Sequence, residues 1–86
     1  MIPFSTLALV ARLKELVRPE DTVIDVGSGP GRLALPLALY CSHVTAVEPS
    51  PSMASLLTEQ VREHGIRNVT LVQATWEDAR VEVGEV

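Results

Sequence analysis

The sequence predicts an α/β fold built on a parallel sheet. Short apolar, β-branched runs at Thr22–Val26, His43–Val47 and Val69–Val72 alternate with longer segments whose apolar residues recur at helical spacing. Strands separated by helix-length segments form βαβ units with right-handed crossovers. A glycine cluster, Gly27-Ser28-Gly29-Pro30-Gly31, also stands where the first strand hands over to the next helix.

Residues 5–17 read as an amphipathic helix, capped by Ser5 or Thr6, with Leu9, Leu13, Leu16 and Val17 on one stripe. Pro19 closes it, because the residue before a proline leaves the helical region. Thr22–Val26 is the first strand, and Asp25 is its one acidic residue. Residues 31–41 read as a helix with almost no polar face, which Pro36 should kink or leave with an unpaired carbonyl.

His43–Val47 is the second strand. Ser50 caps the next helix, with Pro51 at its first position, Met53, Leu56, Leu57 and Val61 on one stripe, and Gly65 as its left-handed end. Val69–Val72 is the third strand. Val81, Val83 and Val86 alternate with polar residues in the manner of a strand, a pattern Gly84 weakens.

The totals restrict what such a chain can do. It has 86 residues, is 47% hydrophobic and has a mean hydropathy of +0.23. A domain of this size buries only about 60% of its unfolded surface. The apolar excess therefore anticipates cover from a partner chain or from the rest of a larger domain. The net charge of −4 and pI near 5.0 offer no basic patch for a phosphate backbone. Direct nucleic-acid contact is not expected of this segment. No apolar run approaches the ~20 residues of a membrane span, and the first residues carry no basic leader. Cys41 is the only cysteine, so no internal disulfide forms, which suits the reducing cytoplasm. His43 and His64 read as surface residues. Neither a metal site nor an acceptor-activating constellation is evident.

The glycines pose the functional question. A glycine turn at a helix start lets the backbone take positive φ and admits a ligand close to the chain. The helix end adds free N–H groups and partial positive charge, so the turn suits a nucleotide-like ligand. The dinucleotide fingerprint G-x-G-x-x-G fails, because Arg32 stands where its third glycine belongs and Pro30 has no N–H for a pyrophosphate. The spacing is instead acid-x-Gly-x-Gly-x-Gly: Asp25, Gly27, Gly29, Gly31.

This pattern resembles the first motif of the class I S-adenosylmethionine-dependent methyltransferases. Their cofactor carries no phosphate but has an ammonium, a carboxylate and a sulfonium, which an acid at the strand end suits. The resemblance covers residues 21–79. It implies a three-layer Rossmann-like half-domain, with a parallel sheet of three strands in the order 3-2-1 and flanking helices. It assigns the cofactor to Asp25, Gly27, Ser28, Gly29 and Gly31. Glu48, at the carboxyl end of the second strand, is placed to accept the ribose hydroxyls. Pro49 is set against the adenine, with Met53 nearby. Thr75 takes the position where the family often has an acid for the adenine amino group. Either its hydroxyl accepts that bond or Asp78 reaches in. Trp76 either flanks the base or covers the sheet edge.

The family fold has seven strands and this chain supplies three, so residues 1–86 are expected to be the cofactor-binding N-terminal part of a longer domain. No catalytic residue for a methyl acceptor is expected among them. The open edge of the first strand is expected to pair with a second copy, to receive the tail at Val81 to Val86, or to meet the missing half. A half of a nicotinamide-dependent oxidoreductase and a non-catalytic self-assembling fragment are the alternative readings.

Overall fold

Strands form where the β-branched runs were expected, and helices form between them. A computed structural model of the chain describes residues 6–82. The elements are α1 (Thr6–Lys14), β1 (Thr22–Val26), α2 (Ala34–Leu37), β2 (His43–Val47), α3 (Pro51–Glu63), β3 (Val69–Val72) and α4 (Trp76–Glu82). The sheet is parallel with β2 in the middle, which is the expected order 3-2-1. Val23 sits opposite Val44, Asp25 opposite Ala46, and Val47 between Val26 and Val72.

Alternation along the strands makes two faces. On the first, Val23, Val44, Ala46, Val69 and Leu71 pack with Ala34, Leu37, Ala38 and Cys41 around α2 and with Leu57 of α3. Leu13, Val17, Val61 and Ile66 extend this cluster. On the second face, Val47 and Val72 lie beneath Ala79 of α4, with Ala74 and Trp76 beside them. Helices on both faces give the expected three layers. On β1 this second face is open: Ile24 is 43% and Val26 53% exposed.

The ends of α3 follow local rules. Ser50 is extended, its hydroxyl accepts from the Met53 N–H at 3.4 Å, and Pro51 occupies the first turn. At the far end Gly65 takes φ +62°, the Ile66 N–H reaches Val61 O at 3.0 Å, and the Gly65 N–H reaches Arg62 O at 3.2 Å. This is the paired closure of a Schellman motif, and Val61 and Ile66 supply its apolar contact in the core.

Four expectations need correction. The long helix over residues 31–41 is a single α turn flanked by turns. Leu35 bonds to Gly31 O and Leu37 to Leu33 O, but Pro36 has no N–H to give Arg32 O, so the ladder is broken between them. That segment is also less buried than expected, with Leu39 76% exposed.

The first helix ends at Lys14, short of the expected residue 17; α1 buries Val10, with Leu13 and, beyond the helix, Val17 partly buried against the core, while Leu9 and Leu16 stay outside. In α3 the buried positions are Ala54 and Leu57, with Val61 beside them, while Met53 and Leu56 are exposed. Val81 lies in α4, not in a strand. Ser5, Val83, Gly84 and Val86 lie outside the described residues, so a cap at Ser5 and a tail strand do too.

Candidate functional site

Parallel register brings three chain exits to one edge. Val26, Val47 and Val72 stand level, so Gly27, Glu48 and Gln73 leave the sheet side by side. Main-chain bonds continue past the strands. The Gly27 and Ser28 N–H groups donate to Val47 O at 2.8 and 3.2 Å, and the Glu48 N–H donates to Val72 O at 3.0 Å.

The glycine turn uses up its own donors. Gly27 and Ser28 give their N–H groups to Val47 O, Gly31 gives its N–H to Ser28 O at 3.1 Å, and Gly29 gives its N–H to Glu48 Oε1 at 2.7 Å. Pro30 has none. The expected set of free N–H groups is therefore absent from residues 27–31, and the one-turn α2 adds little helix dipole. A turn of this kind is a poor cradle for pyrophosphate.

It remains open to a ligand in another sense. A Cβ built on Gly27 or Gly29 meets nothing within 4 Å, so the outer side of the turn is free. Gly31 is different. It has φ +97°, and a Cβ there would stand 2.6 Å from Leu57 Cδ1, so this glycine lets the turn close onto α3.

Two carboxylates face this edge. Glu48 is 7% exposed, and its second oxygen, Oε2, accepts from the Ser50 N–H at 2.9 Å. Each carboxylate oxygen has two lone pairs, so each of Glu48's keeps one for a ligand hydroxyl. Asp25 has no such support at one oxygen: its Oδ2 is buried without a hydrogen-bond partner. Burial pushes the Asp25 carboxyl above its ordinary value, the neighbouring Ser28 side chain opposes this, and the Glu48 charge adds to the rise. The Ser28 hydroxyl, itself buried, gives its one proton to the Asp25 main-chain O at 2.7 Å. A buried carboxylate oxygen without a donor is matched by a ligand cation or ammonium N–H.

The remaining expected residues flank this centre. Pro49 is exposed beside Glu48, and Met53 is 39% exposed on the first turn of α3. Thr75 immediately precedes α4. Its carbonyl accepts from the Ala79 N–H, and its hydroxyl donates to Asp78 Oδ2 at 3.4 Å. Thr75 and Asp78 are thus engaged with each other at the helix start. Trp76 packs beside Val47 and Val72 and covers the β2–β3 end of the sheet. Among the described residues no group of three or more His, Cys, Asp or Glu could hold a metal ion.

Comparison with known proteins decides the family. The methyltransferase-domain family matches residues 23–86. The chain belongs to it. Ribosomal RNA small subunit methyltransferase G of Mycolicibacterium smegmatis is 42% identical over 80 residues, which are 88% of this chain and 34% of that protein. Coclaurine N-methyltransferase, solved with N-methylheliamine and SAH, superposes with a TM-score of 0.72 at 31% identity, over 80% of this chain and 22% of its own. M. jannaschii TYW2, solved with AdoMet, gives 0.76 at 26% identity, over 90% and 37%. The chain thus spans about a third of the methyltransferase G it matches.

Membership of the methyltransferase-domain family removes the nicotinamide alternative and agrees with the three-layer parallel architecture. A turn whose donors are already engaged is compatible with the phosphate-free cofactor of that family. Two features of the site escaped the sequence. The Gly29–Glu48 bond joins positions 19 apart and needs the β1–β2 register to be seen. The helix at residues 76–82 did have a signal: Thr75-x-x-Asp78 is a capping pattern, followed by acids in the first turn.

Proposed function

We propose that this chain is the donor-binding portion of an S-adenosylmethionine-dependent methyltransferase domain longer than residues 1–86. The observation that carries the reading is the edge itself: a glycine turn with no free N–H, beside a buried Asp25 oxygen without a donor and a Glu48 carboxylate with lone pairs to spare. That set suits an ammonium and vicinal hydroxyls, and it does not suit phosphate. Asp25 would meet the ammonium, Glu48 the ribose hydroxyls, and Gly27, Ser28, Gly29 and Gly31 the close backbone approach. Pro49 and Met53 would line the adenine side. Thr75 or Asp78 would take the adenine amino group, and Trp76 would close the flank.

When bound, the cofactor supplies an electrophilic methyl group on a sulfonium. Transfer is largely a matter of holding the acceptor in line with that methyl, and the acceptor-holding groups belong to the rest of the domain. The 86-residue chain is therefore inactive alone. The acceptor is unassigned. The relative named for ribosomal RNA makes an RNA acceptor compatible with the family, held outside this acidic segment. A free, buried Cys41 supports a cytoplasmic setting.

The open edge of β1 and its exposed Ile24 and Val26 favour self-association, with two β1 strands pairing antiparallel across a two-fold axis into a six-stranded sheet.

The test of the function is calorimetric titration of the chain with S-adenosylhomocysteine and, separately, with NADH. Binding of the first alone is expected, weakened in Glu48→Ala by about 1.5–3 kcal/mol for a lost charge-assisted bond pair. Binding of NADH alone, or methyl transfer by the 86-residue chain, would overturn the reading.

A further inference from the structure

Glu48 sits between two turns that the sequence keeps apart. Its Oε1 accepts from the Gly29 N–H at 2.7 Å, in the turn after β1, and its Oε2 accepts from the Ser50 N–H at 2.9 Å, in the turn after β2. The carboxylate is 7% exposed. These are charge-assisted bonds in a setting with little competing water, so they are stronger than ordinary amide bonds. Every other N–H of the glycine turn goes to a main-chain carbonyl, Val47 O or Ser28 O. Gly29 is the exception, and its φ of +58° leaves its outer side open, with nothing within 4 Å of an added Cβ. Without Glu48, the tip of the turn would have no fixed partner for that N–H.

We propose that Glu48 is a positioning residue for the glycine turn, setting the tip at Gly29 in its cofactor-accepting geometry, in addition to any contact with the ribose. This rests on the donor-binding reading above. The carboxylate has the capacity for both tasks, since one lone pair per oxygen is used by the protein and one remains. Gln cannot replace it: an amide has one acceptor oxygen, so either Gly29 or Ser50 would face an NH2 group.

The two roles separate with a ligand that lacks the ribose hydroxyls. S-adenosylhomocysteine and its 2′,3′-dideoxy analogue are titrated into the wild-type chain and into Glu48→Gln. A positioning role weakens both ligands, the dideoxy analogue by about ten-fold, the size of one lost charge-assisted bond. A role confined to the ribose weakens S-adenosylhomocysteine alone, and that result would overturn the proposal. If the wild-type chain binds neither ligand, the donor-binding reading falls and this proposal falls with it.

Amide hydrogen exchange without ligand supplies the second measurement. In the wild type the Gly29 N–H is expected to be protected. In Glu48→Gln its exchange should accelerate while the β2 amides at Val44–Val47 stay unchanged, which a general loss of stability would not produce. An unprotected Gly29 amide in the wild type overturns the proposal even if the variant does not fold.

Discussion

Gly31 and Leu57 are in such close contact that the glycine has no room for a side chain: a Cβ on Gly31 would lie 2.6 Å from Leu57 Cδ1 and 2.9 Å from Leu35 Cγ. Leu57 is fully buried, so moving it aside would displace its core neighbours. The glycine turn after β1 is thus also the point where the first crossover packs onto α3.

Gly31→Ala is accordingly the most damaging single change in the turn. It combines a left-handed backbone strain of about 1–2 kcal/mol with overpacking of about 1–3 kcal/mol. Gly27→Ala meets open space and carries only the strain. Urea denaturation should give a clearly lower midpoint for the first variant than for the second. Equal midpoints would mean that Leu57 and Leu35 repack without cost.

Asn68 ties the two crossovers together at the opposite end of the sheet. Its Nδ2 donates to Ala38 O at 2.7 Å and lies 3.3 Å from both Cys41 O and Ser42 O. Asn68→Ala should cost about 1–2 kcal/mol by leaving the Ala38 carbonyl without its partner. Asn68→Asp keeps the shape but puts an acceptor against three acceptors, so it should melt at least as low as the alanine variant. An aspartate variant as stable as the wild type would show that this amide contributes nothing.

Asp25 should trade stability for binding. Burial raises its carboxyl above the unfolded value, so the folded chain holds the proton more tightly. Between the two values the folded state binds more protons than the unfolded state, and stability falls as pH rises through that window. Above the raised value the whole penalty is present; below the ordinary carboxylate range it is gone. Asp25→Asn should therefore melt higher than the wild type at pH 7, with an advantage that shrinks as the solution is acidified, while S-adenosylhomocysteine binds it more weakly. Thermal melts across pH, paired with calorimetry, measure both halves. A pH-independent difference would contradict the assignment.

Self-association should depend on the open side of β1. Sedimentation at micromolar concentration should show a dimer or larger species, and Val26→Lys, which places a charge on the exposed apolar face, should shift it toward monomer. A compact wild-type monomer under those conditions would exclude β1 pairing.

The sequence alone determined the strands, the caps of α3 and which residues stand at the candidate site. β-branched runs, Ser50-Pro51 and Gly65 act through neighbours within a turn or two, so their consequences are local and legible. The same holds for Asp25, the three glycines and Glu48: strand ends in a parallel α/β sheet converge on one edge, and those residues stand at strand ends. Tertiary structure alone decided which side of each helix is covered. Leu9, Met53 and Leu56 belong to the expected buried stripes together with Leu57, yet only Leu57 is buried, and Val10 and Ala54 are the residues that face a neighbour in place of the others. Periodicity gives a stripe its width, while the packing partner chooses its centre. The Gly29–Glu48 bond likewise depends on the exact offset between β1 and β2. A shift of one residue would turn the Glu48 carboxylate to the other face, because alternate side chains of a strand point to opposite sides.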